Sequence, residues 1–269
     1  MSKKLNIAVA GCAGRMGRQL VSAAHTVGHR VSGGSEAPGA GSLGQDIGRL
    51  AGMEPSGVLA TDKLELAASG AAAWMDFTVP AATLKALSVL PDLGVRAAVI
   101  GTTGFTAAEE QDIAAAASRL AIVKAGNFSL GVNLLEALVR QAASRLGEDW
   151  DIEISETHHR HKVDAPSGTA MMLGEAAAQG RERSLSELRA APYDGPDAKR
   201  VPGQIGFSAR RTGGVIGDHE VMLGSEMEVV SLRHTALDRA VFAHGAIKAA
   251  EWAADQAPGL YDMSDVLGI

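Results

Sequence analysis

Short apolar runs alternate with helix-spaced apolar positions through the first half of the chain. Leu5–Ala10 is a run of strand length, and Met16, Leu20, Val21 and Ala24 after it fall on one face of a helix. A second strand is expected over Arg30–Gly34, followed by an aperiodic, glycine-rich stretch from Gly33 to Gly57 that reads mostly as loop. Ala72–Thr78 is the next strand and stops before Pro80; Leu84, Leu87, Val89 and Leu90 mark the helix that follows. Arg96–Thr103 gives another strand, Thr106 and Glu109 a capping box opening another helix, and Leu120–Ala125 a further strand. This rhythm predicts a parallel sheet covered by helices, a Rossmann-like α/β domain. Asn133–Ser144 is an amphipathic helix, after which strands dominate: Asp151–Thr157, Gly203–Arg210, Val215–Leu223 and Met227–His234, the last alternating with period two. They predict an α+β domain with an open mixed or antiparallel sheet, crossed by a polar connection at Pro192–Pro202. The helix Arg239–Ala254, apolar at Val241, Phe242, Ile247 and Trp252, is expected to return to the first domain. The expected division is therefore residues 1–127 completed by 239–269, with 128–238 as the second domain and a candidate hinge at Gly126 and Ser129–Gly131.

The turn after the first strand reads G-x-x-G-x-x-G from Gly11 to Gly17. Glycines there let the backbone approach a pyrophosphate and let helix pack on strand, so Gly11, Cys12, Ala13, Gly14, Arg15 and Met16 are candidate dinucleotide contacts. Glu36 lies 25 positions after Gly11, about where an acid for the adenosine ribose hydroxyls is expected. Ala37 follows, without an adjacent arginine to hold a 2′-phosphate. In a parallel sheet the carboxyl ends of the strands line one crevice, which collects Phe77, Thr78, Gly101, Thr102, Thr103, Ala125, Gly126, Asn127 and Phe128 as further cofactor candidates.

A different chemistry is concentrated in Glu156–Ala170, ETHHRHKVDAPSGTA, between a strand and a run of helix formers. Ser167, Gly168 and Thr169 stand where the first free N–H groups of a helix point, which is an anion site. Lys162 with the neighbouring histidines can neutralise a carboxylate and supply protons near neutral pH. Taken singly, a serine before a helix is an ordinary cap and a histidine an ordinary packed residue; it is the combination that points to chemistry. Metal binding is not expected: His158 and His159 face opposite ways in an extended segment, the only cysteine is remote in sequence, and Lys162 would repel a cation.

Composition narrows the partners. The 269 residues are 46% hydrophobic and 21% charged, as in a globular protein, and a net charge of −6 argues against nucleic acid. One cysteine excludes an internal disulfide framework. Neither a signal pattern nor a bilayer-length apolar run is present, so a cytoplasmic protein without membrane partners is expected.

Five stretches together resemble the dihydrodipicolinate reductase family: Gly11–Gly17, Asp76–Thr78, Gly101–Phe105, Asn127–Asn133 and, most specifically, Glu156–Ala170, which is similar to the signature E-x-H-H-x-x-K-x-D-x-P-S-G-T-A. The resemblance covers nearly the whole chain. It implies NAD(P)H-dependent reduction of 4-hydroxy-tetrahydrodipicolinate, a small cyclic dicarboxylate, in diaminopimelate and lysine biosynthesis, by a homotetramer joined through the sheets of the second domain. It further implies His158 and Lys162 as proton-donor positions, His159 in contact with substrate, Ser167, Gly168 and Thr169 on a carboxylate, and Thr103 between nicotinamide and substrate. Two positions depart from the pattern, Ala37 and Val79, where arginine is frequent in the family; both remove positive charge near the cofactor, so NADH is expected to be favoured or used as well as NADPH. Another nicotinamide dehydrogenase of amino or imino dicarboxylates would share the first domain, and a non-catalytic nucleotide sensor would have no use for Lys162 beside paired histidines.

Overall fold

The computed structural model describes residues 4–269. Two compact units emerge: one runs to Leu130 and resumes over Ala240–Gly268, the other is Gly131–Arg239.

The first unit opens with strand β1 (Asn6–Ala10), helix α1 (Arg15–Thr26) and strand β2 (Arg30–Ser35). The glycine-rich stretch that follows holds more order than expected, because Asp46 caps a one-turn helix α2 (Ile47–Leu50) by accepting from the Arg49 N–H and closes the loop by accepting from the Ser56 and Gly57 N–H groups. Short β3 (Ala60–Thr61) and α3 (Leu64–Ala67) come next, then β4 (Ala73–Asp76), α4 (Pro80–Val89), β5 (Ala97–Ile100), α5 (Ala107–Ala116) and β6 (Ala121–Lys124). Strand β4 is shorter than the apolar run suggests: the Asp76 carboxylate turns back to accept from the Thr78 N–H, which bends the chain out of the sheet. The capping box at Thr106 and Glu109 forms at the start of α5.

Helix α6 (Leu130–Arg145) leads into the second unit, which comprises β7 (Asp151–His158), α7 (Gly168–Gly180), α8 (Leu185–Leu188), β8 (Ile205–Arg211), β9 (Gly217–Gly224) and β10 (Val229–Ala236). Its sheet is mixed, in the order β10-β9-β7-β8: β7 pairs parallel with β8 and antiparallel with β9, which pairs antiparallel with β10. Ile152, Ile154, Ile205, Val221 and Leu223 form its apolar face, packed with Leu173 and Ala177 of α7 and Leu135 and Val139 of α6.

The chain then completes the first unit with α9 (Ala240–Ala253), β11 (Gly259–Tyr261) and α10 (Met263–Leu267). Neither β11 nor α10 is prominent in the sequence, since three residues are too few to show a period. The described strands of this unit make one parallel sheet, β11-β6-β5-β4-β1-β2-β3. Successive residues serve opposite faces: Ile7, Val9, Met75, Val99 and Val123 pack with Leu20 of α1 and with Ala246, Ile247 and Ala250 of α9, while Ala8, Trp74, Ile100 and Ile122 pack with Leu87 of α4 and Ile113 of α5. Both faces being covered is what makes the strands apolar throughout, and each fully buried aliphatic side chain contributes about 1.5–3 kcal/mol. β1 has β2 on one side and β4 on the other, so the order of the sheet reverses there and the carboxyl ends of β1 and β4 open a crevice.

Candidate active site

In the first unit the turn after β1 is shaped by close approach. Gly11 has φ +60°, and a methyl group on Gly17 would come within 2.0 Å of the Gly11 carbonyl oxygen. The Gly14 N–H donates to that same oxygen at 2.9 Å. Gly14 caps α1 without a side-chain acceptor, which leaves N–H groups of the first turn facing outward. Glu36, just beyond β2, accepts from the Ala13 N–H at 2.6 Å, so the acid meets the glycine turn directly and retains a second oxygen. Cys12 is fully buried, and burial, with the Glu36 charge adding, pushes its thiol up to about 12; it packs and does not react. Arg15 is exposed and Met16 packs on the core.

Along the same strand ends, the Phe77 ring meets the Phe128 ring at 5.2 Å, and Gly101 is required there because a Cβ would lie 2.0 Å from the Phe77 ring. Thr78 and Thr102 are turned into a network under the crevice floor: the Thr78 N–H donates to Thr102 Oγ1 at 3.0 Å, and the Thr78 hydroxyl donates to the Asp76 carboxylate at 2.5 Å. Thr102 is buried, whereas Thr103 and Gly126 are exposed. Ala125 is half-buried at the end of β6, and Asn127 Oδ1 accepts from the Ser129 N–H at 2.8 Å. These residues leave the shape a dinucleotide needs: a cradle that a single added methyl would fill, backed by outward N–H groups and a carboxylate.

In the second unit the candidate residues converge on β7 and the start of α7. Period-two parity puts Glu156 and His158 on the same face of β7 as Ile152 and Ile154, so a carboxylate and an imidazole replace apolar side chains at the strand's end. Glu156 is 1% exposed and has every oxygen engaged: Oε2 meets His158 Nδ1 at 2.6 Å and accepts from Arg211 Nη1 at 2.7 Å, while Oε1 accepts from Arg211 Nη2 at 2.8 Å and from the Ser167 N–H at 3.1 Å. Burial alone would push this carboxyl up; the Arg211 guanidinium and His158 overcome it and hold it below the usual carboxylate range. Ser167 caps α7 by accepting from the Ala170 N–H at 3.1 Å, and its hydroxyl contacts His219 Nε2 at 3.0 Å. Burial, reinforced by the neighbouring His158, pushes His219 down to about 4. Gly168, exposed with open space around it, and half-buried Thr169 start the helix.

Lys162 donates to both oxygens of Asp164 at 2.8 Å, and the Asp164 carbonyl accepts from Arg211 Nη2 at 2.6 Å. His159 has its Nδ1 buried without a partner and lies 6.3 Å from His161, ring to ring. Its loss of hydration, then the positive charge of Arg239, His158, His161 and Lys162, favours the neutral ring. Among the described residues no group of His, Cys, Asp or Glu is placed to hold a metal ion, and no helix is long and apolar enough to cross a membrane.

Glu156, Arg211 and His219 belong to this site although sequence reasoning did not single them out. The parity of Glu156 with Ile152 and Ile154 was the available signal. Arg211 and His219 depend on pairing: the parallel register sets His158 opposite Arg211, and the antiparallel register sets Glu156 opposite His219.

Comparison with known proteins identifies the family. The family model described as Dihydrodipicolinate reductase, N-terminus, matches residues 5–128, and that described as Dihydrodipicolinate reductase, C-terminus, matches residues 131–267. A curated 4-hydroxy-tetrahydrodipicolinate reductase from Parvibaculum lavamentivorans is 51% identical over 271 residues, covering 100% of both chains. One of the same name from Rhodopseudomonas palustris is 50% identical, covering 98% of each. A solved structure, a dipicolinate-bound dihydrodipicolinate reductase from Paenisporosarcina sp. TG-14, has the same fold, with a TM-score of 0.77 at 23% identity over 97% of this chain and 98% of that one. On the strength of two family models that together span both units, and of full-length relatives at half identity, the chain belongs to the dihydrodipicolinate reductase family of oxidoreductases.

Proposed function

We propose that this chain reduces 4-hydroxy-tetrahydrodipicolinate to tetrahydrodipicolinate, in diaminopimelate and lysine biosynthesis, with a nicotinamide dinucleotide held by the first unit and the cyclic dicarboxylate held by the second. Family membership supports the reaction. The observation that carries the division of labour is the cationic segment His158–Lys162 running into the N-terminus of α7, a carboxylate cradle beside proton-bearing side chains, in a different unit from the glycine turn. The nicotinamide, when bound, supplies the hydride. Replacing the substrate's hydroxyl by that hydride releases water and consumes one proton, which His158 or Lys162 gives. The N–H groups and hydroxyls of Ser167–Thr169, with His159, bind and orient the carboxylates. Lys162, already paired with a carboxylate in Asp164, meets the substrate's carboxylate by exchanging one partner for another.

Glu36 suits ribose hydroxyls and repels a 2′-phosphate, and Ala37 offers no compensating charge, so NADH is the favoured or equal cofactor. The exposed apolar residues on and beside β10, among them Met227 (94%), Val229 (62%) and Leu237 (87%), support assembly through the second sheet, as a homotetramer in the cytoplasm. Following nicotinamide absorbance with 4-hydroxy-tetrahydrodipicolinate tests the reading: turnover is expected, and its absence with both NADH and NADPH overturns it.

A further inference from the structure

We propose that Glu156, clamped by Arg211, is a positioning residue that fixes the tautomer of His158, so that the proton His158 exchanges with substrate passes only through Nε2. The proposal rests on the reading of His158 as a proton donor given above.

The argument begins with what surrounds the carboxylate. Two of its contacts are guanidinium N–H donors and one is the Ser167 backbone N–H, none of which can accept a proton. A carboxylate forked by Arg211 and 1% exposed stays ionised, and so it can only accept at its fourth contact, His158 Nδ1 at 2.6 Å. Nδ1 therefore carries a hydrogen in every state of the ring. The nitrogen left to gain and lose a proton is Nε2. Space has been kept for it: a Cβ at Gly217 would sit 3.1 Å from Nε2, so any other residue there would crowd the reacting end of the ring. His219 stands edge-on to His158, ring centroids 5.0 Å apart, and its burial favours the neutral ring, so His219 adds no positive charge beside His158.

The same carboxylate joins the donor to the anion cradle. Oε1 holds the Ser167 N–H one residue before α7, and Arg211 reaches on to the Asp164 carbonyl in the Lys162 segment. Glu156 touches neither substrate nor cofactor in this scheme; it sets where the groups that do so stand, which matters because small misplacements of reacting groups cost large factors in rate.

Two measurements test the proposal. The first needs no turnover: nitrogen-15 shifts of His158 in the folded wild-type protein at neutral pH are expected to show Nδ1 protonated. A ring protonated at Nε2 alone overturns the proposal whatever the enzyme's substrate. The second is a double-mutant cycle in steady-state kinetics with NADH saturating. Glu156→Gln puts an amide N–H among donors and is expected to lower kcat about a hundredfold with a much smaller change in KM. In a His158→Ala background the same change is expected to alter kcat by less than about threefold, because its effect runs through the ring. Equal losses in both backgrounds, which a merely structural role gives, or unchanged turnover in Glu156→Gln, overturn it. If Glu156→Gln does not fold, the nitrogen-15 result decides alone. Absence of turnover in the wild type would sink the assigned reaction while leaving the tautomer measurement readable.

Discussion

Three side chains of the segment Glu156–Ala170 are expected to fail in different ways. Lys162 can hold a carboxylate and give a proton; His158 gives a proton; Thr169 only helps to bind, with backbone N–H groups beside it. Lys162→Ala should lower kcat about a hundredfold and raise KM, His158→Ala should mainly lower kcat, and Thr169→Ala should mainly raise KM. Steady-state kinetics of the three, after confirming that each binds NADH normally, checks this; near wild-type turnover in both Lys162→Ala and His158→Ala would move the proton source to water. At the other end of the cofactor, catalytic efficiency with NADPH should not exceed that with NADH by tenfold, as an order of magnitude, and Ala37→Arg should improve NADPH use by placing a cation beside Glu36. His219 makes a stability prediction. Its pKa falls from 6.5 to about 4 on folding, so between those values the unfolded chain binds a proton that the native ring refuses, and stability rises with pH across that window. The full difference is on the order of 3 kcal/mol. Urea midpoints of wild type should therefore fall more steeply from pH 6.5 to 4.5 than those of His219→Gln, and parallel slopes would show that the ring titrates freely.

At the scale of elements, the turn between β1 and α1 is the least forgiving junction in the first unit. The missing Cβ of Gly17 faces a backbone carbonyl at 2.0 Å, which cannot swing aside as a flexible side chain would. Gly17→Ala should consequently weaken NADH binding at least tenfold by calorimetry, about 1.4 kcal/mol, whereas Gly41→Ala, with nothing near its Cβ and outside the residues named for the cofactor, should change it little. This junction was legible in the sequence because strand, glycines and helix follow one another within a dozen residues. So were the strands β4 to β6, whose continuous apolar character reports two covered faces. What stayed hidden was short or depended on distant pairing. β11 has three residues and finds its place only by lying beside β6, and α2 exists because Asp46 gathers N–H groups from both sides of a loop. The site divides in the same way: His158, Lys162 and Ser167 are close in sequence, but Arg211 reaches Glu156 through a parallel register that no local pattern announces.

For the whole molecule, the second sheet offers an unfinished surface. Met227, just before the edge strand β10, and Val229, at its start, are exposed, the kind of apolar edge that water does not favour and a second copy can cover. Sedimentation at micromolar concentration should give a mass of four times the 27.7 kDa chain, and Val229→Asp with Met227→Asp should lower it; a wild-type monomer would refute the assembly. The return of the chain to its first unit has a consequence for synthesis. Ala246, Ile247 and Ala250 of α9 share a core with Ile7 and Val9 of β1, and β11 closes the edge of β6. On the ribosome, the first 130 residues therefore emerge with one apolar sheet face covered only in part, by α1, and one strand edge open, and they stay so while more than a hundred further residues are made. The second unit, whose core draws on its own residues alone, is free to fold in that interval. A nascent chain that stops before α9 and β11 are made is left with a sticky, half-built nucleotide fold, so the protein's own topology makes synthesis of these late elements a condition for binding its cofactor.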